Sequence, residues 1–115
     1  MSPHTKIRIE YASEFKRNLQ GLAKKYRHIR SDLQPLIDQL LAGQIVGTQV
    51  TETGFVIFKV RVRNSDIKKG QSAGYRVIYC LKEPGWIILV TIYSKSDQGD
   101  ISAAEIRRIL KEFKS

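Results

Sequence analysis

Residues 86–93 (Trp-Ile-Ile-Leu-Val-Thr-Ile-Tyr) form a nearly unbroken apolar run. Lys82-Glu83-Pro84-Gly85 just before it is a tight-turn signal, so the run reads as a strand. A strand with no polar face cannot leave either side in water. It predicts an internal strand covered on both faces for most of its length.

The rest of the pattern supplies the cover. Phe15, Leu19, Leu22, Tyr26 and Ile29 are spaced by four, three, four and three, one apolar stripe along a helix that Ser13 can cap. A second helix is expected from Ser31. Pro35 falls in its first turn, Leu33, Leu36, Ile37, Leu40 and Leu41 form its buried face, and Gly43 is its stop. The short link predicts an antiparallel helical hairpin. Residues 6–10 alternate and read as a short strand.

From Phe55 the period becomes two. Phe55, Ile57, Lys59, Arg61 and Arg63 fall on one side; Val56, Phe58, Val60 and Val62 fall on the other. Residues 64–74 read as a polar, basic loop, and Tyr75–Leu81 as a strand. At the C-terminal end Ser102 and Glu105 make a capping box, Ile101 and Ile106 a hydrophobic staple, and Ile106, Ile109, Leu110 and Phe113 an apolar stripe. The order β-α-α-β-β-β-α is an α+β fold, helices packed on a small, mostly antiparallel sheet. At 115 residues, 42% hydrophobic and 27% charged, residues 1–115 form a single globular domain.

Charge narrows the function. Twenty Lys+Arg stand against eleven Asp+Glu, a net +9, which points to a polyanionic partner. The only cysteine, Cys80, excludes a disulfide framework and a cysteine zinc site. The first residues contain no apolar secretory core, and no run is long enough to span a membrane. The expected location is therefore cytoplasmic, with Cys80 reduced.

Two windows hold 12 of the 20 cations. Lys16, Arg17, Lys24, Lys25, Arg27 and Arg30 carry no acid among them and read as a solvated helix face, with docking to RNA phosphate the alternative. Lys59, Arg61, Arg63, Lys68, Lys69 and Arg76 are accompanied only by Asp66. Lys59, Arg61 and Arg63 lie on one strand face about 7 Å apart, where like charges repel and give the fold nothing. Phosphate or a carboxylate-rich peptide is the natural counterpart.

The segment Lys68-Lys69-Gly70-Gln71-Ser72-Ala73-Gly74-Tyr75-Arg76-Val77-Ile78-Tyr79, the later Leu89-Val90-Thr91-Ile92-Tyr93-Ser94-Lys95-Ser96-Asp97 and the Lys-Val-Arg-Val-Arg strand before them form an ordered set. That set resembles the RelE/ParE superfamily of bacterial toxins, closest to its RelE-like or HigB-like branch. The resemblance spans nearly the whole chain in element order, with its specific motifs in residues 59–97.

The resemblance implies the toxin of a type II toxin–antitoxin system: a ribosome-dependent messenger RNA endoribonuclease that works without a metal or other cofactor. Its partners would be a cognate antitoxin, the ribosome with its ribosomal RNA, and messenger RNA, with no membrane. A ribose 2′-oxygen would attack the adjacent phosphorus and the 5′-oxygen would leave. This chemistry needs a base, an acid and cations for the added charge. His4 and His28 read as surface residues; RelE-like enzymes use lysine, arginine and tyrosine instead, and the resemblance implies the same here. The candidate catalytic residues are Lys59 as base, Arg61 and Arg76 as phosphate clamps, and Tyr93 to stack on a base or move a proton. The alternative for Tyr93 is a core-edge tyrosine. Arg63, Lys68, Lys69 and Lys95 are candidate RNA or phosphate contacts. Some members of the superfamily use a C-terminal histidine, which this chain lacks. The alternatives are a ParE-like gyrase poison and a non-catalytic RNA-binding relative.

Overall fold

The computed structural model describes residues 6–67 and 74–113. They form three helices and a five-stranded mixed sheet: β1 Arg8–Tyr11, α1 Ser13–Lys25, α2 Ile29–Leu41, β2 Thr48–Val50, β3 Ile57–Val62, β4 Tyr75–Glu83, β5 Trp86–Ser94 and α3 Ala103–Glu112. The sheet order is β1-β5-β4-β3-β2. Only the β1–β5 pairing is parallel.

β5 is internal, as its sequence requires, between β1 and β4. Ile87, Leu89 and Ile92 join the cluster under α1 and α2, with Phe15, Ile29, Leu33 and Leu40. Ile88, Val90 and Tyr93 join the opposite cluster, under Ile106 and Ile109 of α3. The sheet is thus a middle layer, two helices below and one above. Asn18 of α1 ties the lower layer to β5, its Nδ2 donating to Thr91 Oγ1 (3.0 Å) and to the Ile92 carbonyl (3.2 Å).

Helix boundaries correct the sequence reading in three places. The N-cap of α1 is Ala12, and Ser13 is already helical, so it does not cap. The stripe does not run through one helix: α1 ends at Lys25, and Ile29 opens α2 after a three-residue link. Because α2 starts at Ile29 rather than Ser31, Pro35 sits in its second turn. There the missing N–H costs α2 the bond that would have gone to the Ser31 carbonyl.

The end of α2 is as expected. Gly43 takes φ +86°, its N–H donates to the Leu40 carbonyl (3.0 Å), and that of Gln44 to the Gln39 carbonyl (3.0 Å). This is a Schellman stop. α3 also starts where its signals place it. Ser102 Oγ accepts from the Glu105 N–H at 3.1 Å, and Ile101 packs in the cluster that holds Ile106.

Two strand features differ. β3 begins at Ile57, leaving Phe55 and Val56 exposed in the preceding turn (38% and 42%). β2 is an extra edge strand of three residues, too short to show a period. Gly47 leads into it at φ +99°, where a Cβ would stand 2.5 Å from the Lys59 carbonyl oxygen. Only glycine permits that approach.

Candidate nucleic-acid interface

Register builds the site. Arg61 on β3 pairs with Arg76 on β4, and Arg76 pairs with Tyr93 on β5. Cross-strand partners point to one face, so Arg61, Arg76 and Tyr93 form one row over three strands. The next row is Lys59, Ile78 and Thr91. Tyr93 and Ile78 belong to the α3-side cluster, so both rows lie on the face that α3 partly covers.

Burial differs along the row. Arg61 is exposed, while Arg76 is only 8% exposed and Tyr93 4%. The Arg76 guanidinium donates from Nη1 to the Tyr75 carbonyl at 3.3 Å. Among the described residues neither arginine forms an ion pair with a carboxylate. A mostly buried guanidinium facing a second one is an arrangement that an incoming anion stabilises. Among the described residues the Tyr93 hydroxyl makes no well-formed hydrogen bond, with the Ile101 backbone beside it, and burial pushes its ionisation upward. It therefore stays a neutral O–H donor at ordinary pH.

Lys59 has Arg61 two residues along on its own strand face, and Thr48 and Ile78 directly across the strands. Its ammonium donates to Asp100 Oδ1 at 3.2 Å, which Lys95 Nζ approaches at 3.6 Å. The Lys59 ammonium beside Asp100 holds that carboxyl below the usual carboxylate range. This contact occupies the Lys59 amine, so Lys59 can reach a substrate only once Asp100 has left it.

The other candidates separate. Lys95 follows the end of β5, with its N–H donating to the Gly74 carbonyl (3.0 Å), and reaches the Lys59 side through Asp100. Gly74 packs so tightly on β3 that a Cβ would lie 2.4 Å from the Val62 carbonyl oxygen. Arg63 lies just past β3, exposed and outside the paired rows. Lys68 and Lys69 lie outside the described residues. Asp97, part of the motif, faces α1 instead, 3.7 Å from Lys25. In the first basic window Arg17 also has an acid partner, Glu14 at 3.1 Å, so that helix face is partly neutralised locally.

Sequence reasoning missed Asp100. Its only signal is being an acid in a basic chain, on the connection into α3. A surface cleft of about 740 Å³ beside Phe55, Ala104 and Lys111 is away from the two rows. A polar cleft of about 370 Å³, lined by Asn18, Thr91, Gln98, Asp100 and Ser102, adjoins them. Cys80 is buried, and burial raises its thiol, so it offers no nucleophile. Among the described residues no helix is long and apolar enough to cross a membrane.

The sheet thus presents two arginines and a tyrosine in a row, with a lysine on either side of it. It can bind a phosphate in a fixed fork, offer an O–H proton and offset charge on a phosphorane. No protein-family model matches the chain, and no curated protein matches it.

Proposed function

We propose that the chain is a cytoplasmic RelE-like toxin of a type II toxin–antitoxin system, a messenger RNA endoribonuclease acting on the ribosome. The observation that carries this reading is the Arg61–Arg76–Tyr93 row, where two guanidinium groups and one buried hydroxyl meet on a single sheet face. The order of elements and the placing of the quoted motifs on β3, β4 and β5 support it.

Arg61 and Arg76 clamp the scissile phosphate and offset the charge that grows as the 2′-oxygen attacks phosphorus. Lys59, freed from Asp100, first gives its ammonium proton to water and then, as the free amine, takes the 2′-hydroxyl proton. Tyr93 donates its proton to the departing 5′-oxygen. The products are a 2′,3′-cyclic phosphate and a 5′-hydroxyl, so atoms and protons balance. Lys95 and Arg63 hold flanking phosphates, and the outer cations grip ribosomal RNA. An antitoxin covers the same face, because neutralising it both blocks RNA and relieves the repulsion between the arginines.

The test is induced expression in growing bacteria, with protein synthesis and DNA integrity followed together. Synthesis should stop while the DNA stays intact. DNA breaks with translation unaffected would replace this reading with gyrase poisoning, and RNA binding without cleavage would leave a non-catalytic relative.

A further inference from the structure

Asp100 is a carboxylate among cations. Its Oδ1 lies 3.2 Å from Lys59 Nζ and 3.6 Å from Lys95 Nζ. Asp97, three residues earlier on the same connection, turns to Lys25 of α1 instead. Two ammonium groups converging on one anionic oxygen is also how a phosphate oxygen is held. The two lysines come from opposite sides of the Arg61–Arg76–Tyr93 row: Lys59 lies one row before it, about 7 Å along β3, and Lys95 lies beyond Tyr93, level with Gly74. An RNA backbone running past the arginines would meet both.

The same connection packs against Tyr93: Ile101 joins its cluster, the Ile101 backbone lies beside the buried hydroxyl, and the residue is 4% exposed. For Tyr93 to touch a substrate, the segment carrying Asp100 and Ile101 has to move away. Releasing Asp100 from its lysines is the first contact to break. Asp100 is itself well exposed, and ion pairs of that kind are weak. A polyanion that sheds counterions on binding is the stronger ligand.

Resting on the RNA reading above, we infer that Lys59 and Lys95 form a second phosphate subsite. Asp100 fills it in the free protein, and RNA enters by displacing this carboxylate and uncovering Tyr93.

The test is binding of a short 2′-O-methyl RNA, which lacks the attacking hydroxyl and cannot be cleaved. Asp100→Asn is compared with wild type and with Asp97→Asn, which removes the same charge from the same connection. Asp100→Asn should bind about five- to tenfold tighter because no carboxylate has to be displaced, with a salt slope close to that of wild type because both lysines meet phosphate in either protein. Asp97→Asn should stay within about twofold of wild type, because its partner Lys25 lies outside the row. Asp100→Ala provides the same comparison if the amide finds new partners. An Asp100→Asn no tighter than Asp97→Asn overturns the inference. Arg61→Gln separates the two claims. If it weakens binding while Asp100→Asn does nothing, only the subsite fails; if it too does nothing, the reading of the row fails as well.

Discussion

Arg61 on β3 and Arg76 on β4 are direct cross-strand partners, and among the described residues no carboxylate pairs with either. Like charges so placed cost a sheet about 0.2–1 kcal/mol. Arg61 is exposed, so replacing it disturbs little packing. Arg61→Gln should therefore hold or raise the melting temperature while weakening RNA binding and lowering the salt slope by about 0.7. Thermal melts and a salt titration of RNA affinity check both halves. A clear loss of stability would mean that Arg61 serves the fold.

Arg76 is mostly buried, with its guanidinium on the Tyr75 carbonyl. Its planar fork is the part that a lysine cannot supply. Arg76→Ala should lower the rate of messenger cleavage by about 10²- to 10³-fold, the usual effect of removing one donor from developing charge. Arg76→Lys should recover little of it. Cleavage rates on translating ribosomes measure the difference.

Among the described residues the Tyr93 hydroxyl makes no well-formed hydrogen bond, with only the Ile101 backbone beside it. Tyr93→Phe removes this poorly paired buried group, so stability should change by no more than about 1 kcal/mol. The cleavage rate should nevertheless fall, since phenylalanine has no proton to give the leaving oxygen. Denaturant melts and single-turnover rates on the same preparation test this separation.

Asp66 joins the start of the β3–β4 connection to the helical hairpin. Its Oδ2 accepts from the His28 N–H at 2.9 Å, and its Oδ1 lies 2.7 Å from His28 Nδ1. The His28 contact holds the Asp66 carboxyl below its ordinary value. A depressed folded-state value stabilises the fold above the unfolded carboxylate range, near 3.9, and that stability is lost as pH falls through the folded value. Asp66→Asn should remove this contribution at neutral pH and flatten the acid side of the melting curve. Melting temperatures measured from neutral pH down to about pH 2 check it.

What could be read from the residues follows the strength of their local signals. α3 was legible because Ser102, Glu105, Ile101 and Ile106 all mark the same start. β5 was legible because no polar face interrupts it. The α1–α2 boundary was hidden because Tyr26 and Ile29 stay buried through the link, so the apolar spacing continues where the helix does not. β2 is too short to show a period and depends on Gly47 approaching the Lys59 carbonyl. The row of Arg61, Arg76 and Tyr93 was legible as residue types, but their alignment depends on register across β3, β4 and β5. Asp100 was invisible because its contact with Lys59 spans 41 residues and no motif marks it.

Cleavage of messenger RNA on purified translating ribosomes tests the central claim most directly. Wild-type protein is compared with Lys59→Ala combined with Arg76→Ala, both confirmed folded, and fragment ends are mapped. Cuts in register with codons, ending in a 2′,3′-cyclic phosphate and a 5′-hydroxyl and absent with the double variant, are the predicted result. Intact messenger with folded wild-type protein, or equal cutting by the double variant, would contradict the assignment of this sheet face to RNA cleavage.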